Sequence, residues 1–124
     1  MDVLLDSCIL IDHFNGIQAA TDYLRQTATS ASVSAITRAE VLTGLAGTAR
    51  RDAAAFLDCL TFLPIDRDVA DLAADLRRVH RWKLPDAIQA AVAQHHGLQL
   101  ATRNTSDFDP KRHAFVLVPY ELTP

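Results

Sequence analysis

Near the start of the chain an apolar run stops abruptly at a charge: Val3-Leu4-Leu5 is followed directly by Asp6-Ser7. A short, uninterrupted apolar run bounded by polar residues reads as a strand buried on both faces, the pattern of a parallel sheet covered by helices. A strand of that kind limits the rest of the chain to layered α/β architectures. It also puts a carboxylate and a hydroxyl at the strand's C-terminal end. Open α/β sheets bind their ligands in the crevice outside the carboxyl ends of the strands. Asp6 is therefore expected at the mouth of a site, with other polar residues converging on it.

The remaining pattern supports this. Ser7 can cap a short helix, Cys8 to Phe14, stopped by Asn15-Gly16. A second helix is expected from Ile17 to about Thr27, then a strand at Ala31 to Ala35. Thr37 is expected to cap or open a helix, Arg38 to Leu45, with another from about Thr48 to Leu60 directing Ala53, Ala54, Phe56, Leu57 and Leu60 inward. Thr61 to Ile65 is a strand candidate whose Pro64 suits an edge or a strand end. Asp66 caps a helix running to about His80, with Val69, Leu72, Ala73, Leu76 and Val79 at helical spacing. Leu84-Pro85-Asp86 opens an alanine-rich helix ending near His95-His96-Gly97. Proline suits the first turn, and the aspartate complements the positive end of the helix dipole. Leu98 to Thr102 and Phe115 to Val118 are strands separated by a polar loop, Arg103 to Asp109. Strands alternating with helices predict a parallel sheet covered on both faces, within a single domain spanning residues 1–124. Strand order does not follow from this pattern.

A chain of 124 residues is long enough for one hydrophobic core and too short for two. Its formal net charge of −3 excludes binding nucleic acid by bulk positive charge, though not through a local basic rim. Cys8 and Cys59 lack metal-ligand or CxxC spacing and read as two buried free thiols in a reducing compartment. The first apolar run is broken by Asp2, Asp6 and Asp12, so neither a signal peptide nor a membrane anchor is expected, and a cytoplasmic location is.

Four carboxylates stand in suggestive contexts. Asp6 ends the first strand. Glu40 interrupts Ala39-Glu40-Val41-Leu42, where an unpaired charge on an apolar face would be costly. Asp86 lies in the first turn of an apolar helix, and Asp107 follows a strand in Thr102-Arg103-Asn104-Thr105-Ser106-Asp107-Phe108. Singly, each has a plain explanation: a cap, a solvated helix face, a dipole partner, an Asx turn. Together they fall where an α/β fold builds its site. Four converging carboxylates repel each other unless a cation joins them. Oxygen-only donors without a Cys or His set suit Mg²⁺ or Mn²⁺ better than Zn²⁺, and the reaction class this points to is phosphodiester hydrolysis.

The ordered set Leu5-Asp6-Ser7, Arg38-Ala39-Glu40, Asp86-Ala87-Ile88 and Ala101-Thr102-Arg103-Asn104 followed by Asp107-Phe108 resembles the PIN-domain nucleases. Within them it is most similar to the toxin ribonucleases of VapBC-type toxin–antitoxin pairs. The resemblance implies a three-layer α/β/α fold with a central parallel sheet of about five strands. It also implies a Mg²⁺-dependent endoribonuclease, or one using Mn²⁺, that hydrolyses RNA with a metal-activated water. Asp6, Glu40, Asp86 and Asp107 match the acidic quartet that holds the metal and performs catalysis. Ser7, Thr102 and Asn104 match supporting polar positions. Some relatives carry an acid where this chain has Asn104, which leaves open whether one or two metal ions bind. A homodimer and a small cognate VapB-type antitoxin are further implications.

Arg38, Arg81, Lys83 and Arg103 neighbour the acids in sequence and are candidate phosphate contacts, or else ordinary surface charges. Trp82, within the basic run Arg77 to Lys83, could stack on a base but better fits a core or interface anchor. Two rival readings are a catalytically inactive PIN-like binding module and a phospho-receiver domain. The receiver would use Asp6 for Mg²⁺, Asp66 as phosphate acceptor and Thr102 as switch. It lacks paired acids after the first strand and a Lys-Pro after the last, and it leaves Glu40 and Asp107 unexplained.

Overall fold

The computed structural model describes residues 2–122. Its elements, in chain order, are β1 (Val3–Leu5), α1 (Ser7–Phe14), α2 (Gln18–Thr27), β2 (Ala31–Ser34), α3 (Ala35–Thr43), α4 (Gly47–Asp58), β3 (Thr61–Leu63), α5 (Arg67–His80), α6 (Leu84–His95), β4 (Gln99–Ala101) and β5 (Val116–Leu117). The five strands form one parallel sheet in the order β3-β2-β1-β4-β5, flanked by the six helices. This is the α/β/α sandwich expected, and β1 is central.

Two apolar clusters cover the sheet. Leu5, Ile9, Leu24, Val33, Val41 and Leu57 pack on one side with α1–α4. Leu4, Val69, Ala73, Ala90, Leu100 and Phe108 pack on the other with α5 and α6. Leu4 and Leu5 project to opposite faces, as consecutive strand residues must, and both are fully buried. The single apolar run thus feeds both halves of the core. Ala87, Ala90, Ala91 and Ala93 of α6 are buried within this second cluster.

Several local expectations are corrected. Asp6, not Ser7, caps α1: its carboxylate accepts from the Ser7 backbone N–H at 2.9 Å. Helix α3 starts three residues before Arg38. Ser34 caps it by accepting from the Thr37 N–H, and Thr37 turns inward to donate from its hydroxyl to the Leu5 carbonyl. Strand β3 is an exposed edge that ends at Leu63, before Pro64, because proline cannot donate to a ladder. Val79 continues the apolar spacing of α5 but is 71% exposed; the helix ends one residue later at His80, and its C-cap Arg81 adopts φ 60°. Cys8 and Cys59 are free; Cys8 is half-buried and Cys59, at the C-terminus of α4, is exposed. No helix among the described residues is long and apolar enough to cross a membrane.

Candidate active site

The four acids are delivered by four different segments. Asp6 follows β1, Glu40 lies on α3, Asp86 lies in the first turn of α6, and Asp107 lies in the loop after β4. Because β1 is central and parallel to its neighbours, the loops that follow β1, β2 and β4 all leave from the same end of the sheet.

Asp6 is almost wholly buried and held on both oxygens. Oδ1 accepts from the Ser7 N–H and from Gln89 Nε2 at 3.1 Å; Oδ2 accepts from the Thr102 hydroxyl at 2.7 Å. Gln89 is fixed in turn. Its Oε1 accepts from the Ser34 hydroxyl at 2.6 Å, and its Nε2 also donates to the Thr37 hydroxyl. The network joins β1, β2, α3, β4 and α6 with each of these buried polar side chains partnered, which is what a buried polar cluster requires.

Asp107 is oriented by its own loop. Asn104 Nδ2 donates to Asp107 Oδ2 at 2.9 Å, while Asn104 Oδ1 accepts from the Ser106 hydroxyl. The Thr102 hydroxyl accepts from the Asn104 N–H at 3.0 Å, so Thr102 connects the Asp6 and Asp107 supports. Trp82 Nε1 donates to the Asp107 carbonyl at 2.9 Å. The Trp82 ring is buried, stacked on His80 at 4.3 Å and against Phe108 at 5.0 Å, which favours the core-anchor reading of this residue over base stacking.

The electrostatics tie the quartet together. Partial burial, then the charges of Asp107, Asp6 and Glu40, push the Asp86 carboxyl up to about 6. Partial burial and the Asp6 charge raise Glu40, against a smaller opposing effect of the nearby Ser7 hydroxyl. Glu40 stands at the exposed rim, which corrects the expectation that it interrupts a buried apolar face; Val41 and Leu42 take the inward positions. No ion pair engages any of the four acids among the described residues. Their uncompensated oxygen donors fit a hard divalent cation. Among the described residues, however, no group of three or more acidic, His or Cys side chains is placed closely enough to hold a metal ion as it stands.

The four candidate cations divide. Arg38 pairs with Asp58 of α4 at 2.8 Å. Arg103 commits Nε and Nη2 to Asp12, whose carboxylate also accepts from the Tyr120 hydroxyl at 2.7 Å. These two are thus engaged by acids outside the quartet. Arg81 and Lys83 are exposed and carry no ion pair among the described residues.

Sequence reasoning overlooked Gln89 and Asp12. Gln89 had a signal: it is the one polar side chain in Ala87 to Ala93, three residues after Asp86 and so on the same helical face. Asp12 had none, since its partners lie about ninety residues and more away.

The fold and the site define an α/β/α domain with an acidic cleft at the carboxyl end of a parallel sheet. The chain belongs to the PIN-domain family, whose profile matches residues 3–113. It is 32% identical over 113 residues to Ribonuclease VapC10 of Mycobacterium tuberculosis, covering 86% of this chain and 85% of the relative. It is also similar to a solved toxin–antitoxin complex from Klebsiella pneumoniae, with TM-score 0.90, 36% identity, 98% of this chain and 100% of that chain covered. FitAcB from Neisseria gonorrhoeae aligns with TM-score 0.77 and 26% identity, over 97% of this chain and 99% of that chain.

Proposed function

We propose that this chain is the toxin ribonuclease of a toxin–antitoxin pair: a Mg²⁺- or Mn²⁺-dependent endoribonuclease acting in the cytoplasm and restrained by a small cognate antitoxin. The observation that carries the reading is the delivery of Asp6, Glu40, Asp86 and Asp107 by four separate segments, with Asp6 gripped on both oxygens and Asp107 held by Asn104; burial and the charges of Asp107, Asp6 and Glu40 raise Asp86 in keeping with that arrangement. Acids from four segments that act on one another describe a site built to take up positive charge. The naming of the M. tuberculosis relative as a ribonuclease supports the activity, and the Klebsiella toxin–antitoxin complex supports the partner.

Asp6, Asp86 and Asp107 would hold the cation, with Glu40 beside them. Such an ion, when bound, supplies Lewis acidity and neutralises charge on a phosphoryl oxygen. The chain's own residues do the rest. Asp6, gripped on both oxygens, contributes a fixed anionic donor. Asn104 holds the Asp107 carboxylate in place. Glu40, at the solvent-facing rim with a raised proton affinity, orients the attacking water and takes its proton. Water attacks the phosphorus in line as Glu40 takes its proton, the bond from phosphorus to the 3′ oxygen breaks, the departing 3′ oxygen picks up a proton from solvent, and the products carry 5′-phosphate and 3′-hydroxyl ends.

The test is RNA cleavage by the wild-type protein beside Asp6→Asn and Asp86→Asn, with Mg²⁺, Mn²⁺ or EDTA. Metal-dependent cleavage that disappears in both folded variants supports the reading. Equal cleavage by all three proteins, or products ending in 2′,3′-cyclic phosphate, would overturn it.

A further inference from the structure

The surroundings of the acidic site are lopsided. Between α1 and α3, the groove beside Glu40 is walled by Ile11, Phe14, Val41 and Leu45 and contains no cation, while a separate groove on α3 and α4 holds Arg38, already paired with Asp58, and Arg50. On the other side, where α5 turns into α6, a groove of about 730 Å³ is lined by Arg77, Arg78, Arg81 and Lys83 around Trp82, with no carboxylate in its wall. Four of the chain's twelve lysines and arginines lie in this one place, on a chain with net charge −3. They are nearly unneutralised. Among the described residues, the one ion pair these cations make is an exposed 4.0 Å approach of Arg78 to Asp75, which contributes little. Arg77 instead donates to the Trp82 carbonyl, which fixes one wall of the groove.

The groove reaches one of the acids. Arg81 and Trp82 are shared with an adjoining depression of about 340 Å³, whose walls include Arg112, Asp107 and Asp109. Lys83 is the N-cap residue of α6 and precedes Asp86 by three positions. Arg77 and Arg78, in the last turn of α5, complement the negative end of the helix dipole, but Arg81 and Lys83 lie beyond that turn, and four like charges in one place repel one another more than holding the fold requires. Beside a cleft of carboxylates this cluster has the arrangement expected where a polyanion must be brought against an acidic centre.

Resting on the ribonuclease reading, we propose that the sugar-phosphate backbone of a single-stranded RNA lies in the α5–α6 groove. Arg78, Arg81 and Lys83 contact phosphates there, and the strand passes Asp107 to reach the acids. The apolar side, beside Glu40, carries no RNA. The cations act by positioning: they hold RNA beyond the scissile bond and leave the chemical step to the quartet.

The test compares wild type with Arg78→Gln/Lys83→Gln and with Arg51→Gln/Arg67→Gln, which makes the same charge change at exposed positions on α4 and at the start of α5. Labelled single-stranded RNA is titrated by fluorescence anisotropy in EDTA at several salt concentrations, a readout that needs no catalysis. The groove variant is expected to bind about tenfold more weakly. Its log–log salt slope should fall by about 1.4, from ~0.7 per lost phosphate contact on a single strand. In cleavage assays its KM should rise by a similar factor with kcat unchanged. If the groove variant binds RNA like the control pair, the proposal fails, including the case in which it loses a protein partner instead. If wild type binds RNA through the groove but never cleaves it, the ribonuclease reading fails while the groove stands.

Discussion

Gln89 Nε2 lies 3.1 Å from Asp6 Oδ1, joining the middle of α6 to the end of β1 across 83 positions of sequence. The same amide nitrogen donates to Thr37, and the amide oxygen accepts from Ser34. One buried side chain thus sets the orientation of the most buried acid in the cleft. Replacing it with leucine leaves the Ser34 and Thr37 hydroxyls and one Asp6 oxygen short of a partner. Gln89→Leu is therefore expected to cost about 1–3 kcal/mol and to lower the cleavage rate more than it raises KM. Thermal melting and steady-state kinetics on the same preparation check both. A variant as active and as stable as wild type would remove Gln89 from the site's support.

The Asp12 carboxylate is buried between two distant partners, Arg103 and Tyr120. Burial pushes it up, but the hydrogen bonds from Arg103 and Tyr120 outweigh this and hold it below its usual range. A carboxyl lowered in the folded state adds stability above its unfolded value of 3.8, and that stability is lost as the pH falls through the folded value. Asp12→Asn strands the partly buried guanidinium and is expected to cost about 3 kcal/mol at pH 7, with the difference from wild type shrinking toward pH 3. Urea unfolding across that range measures it. Tyr120→Phe removes one hydrogen bond and should cost about 1 kcal/mol.

Asp86 carries the opposite sign. Its folded value, about 6, lies above the unfolded 3.8. Its contribution to stability is therefore fully present below about pH 4 and is lost as the pH rises through 6. In EDTA, Asp86→Asn should melt a few degrees higher than wild type at pH 8, on the order of 1 kcal/mol after solvent screening. At pH 4 the two should melt together. A variant less stable at pH 8 would mean that the carboxylate is stabilised there by something other than a cation.

Divalent cations should reverse that ranking. A ligand that binds only the folded state stabilises it by an amount that grows with its concentration over Kd, reaching about 2.7 kcal/mol at a hundredfold excess. Mg²⁺ or Mn²⁺ is expected to raise the Tm of wild type at pH 8. Asp6→Asn and Asp86→Asn should show little or no shift. Equal shifts in all three proteins would place the ion elsewhere.

Elements dominated by local chemistry were readable from the sequence. The apolar run at residues 3–5 named a buried strand, Asp66 named itself as a cap, and Pro64 named an edge or strand end. The position of Asp6 was readable for the same reason, since a charge that stops an apolar run is visible without coordinates. The beginning of α3 was misplaced because Ser34 and Thr37 are both good caps. The choice between them depends on whether Thr37 can reach the Leu5 carbonyl on a neighbouring strand.

The alternation of strands and helices and the buried strand at residues 3–5 follow from the sequence, because periodicity and capping act over a few residues, and the four carboxylates stand out there as candidates. Only the tertiary structure decided the strand order, the Gln89 grip on Asp6, and which cations stay free. Arg38 and Arg103 look as available as Arg81 and Lys83 along the chain. They are taken by Asp58 and Asp12, which lie 20 and 91 positions away and become neighbours only when the sheet assembles. Charge pairing depends on distance through space, and sequence spacing does not encode that distance beyond a helical turn or two.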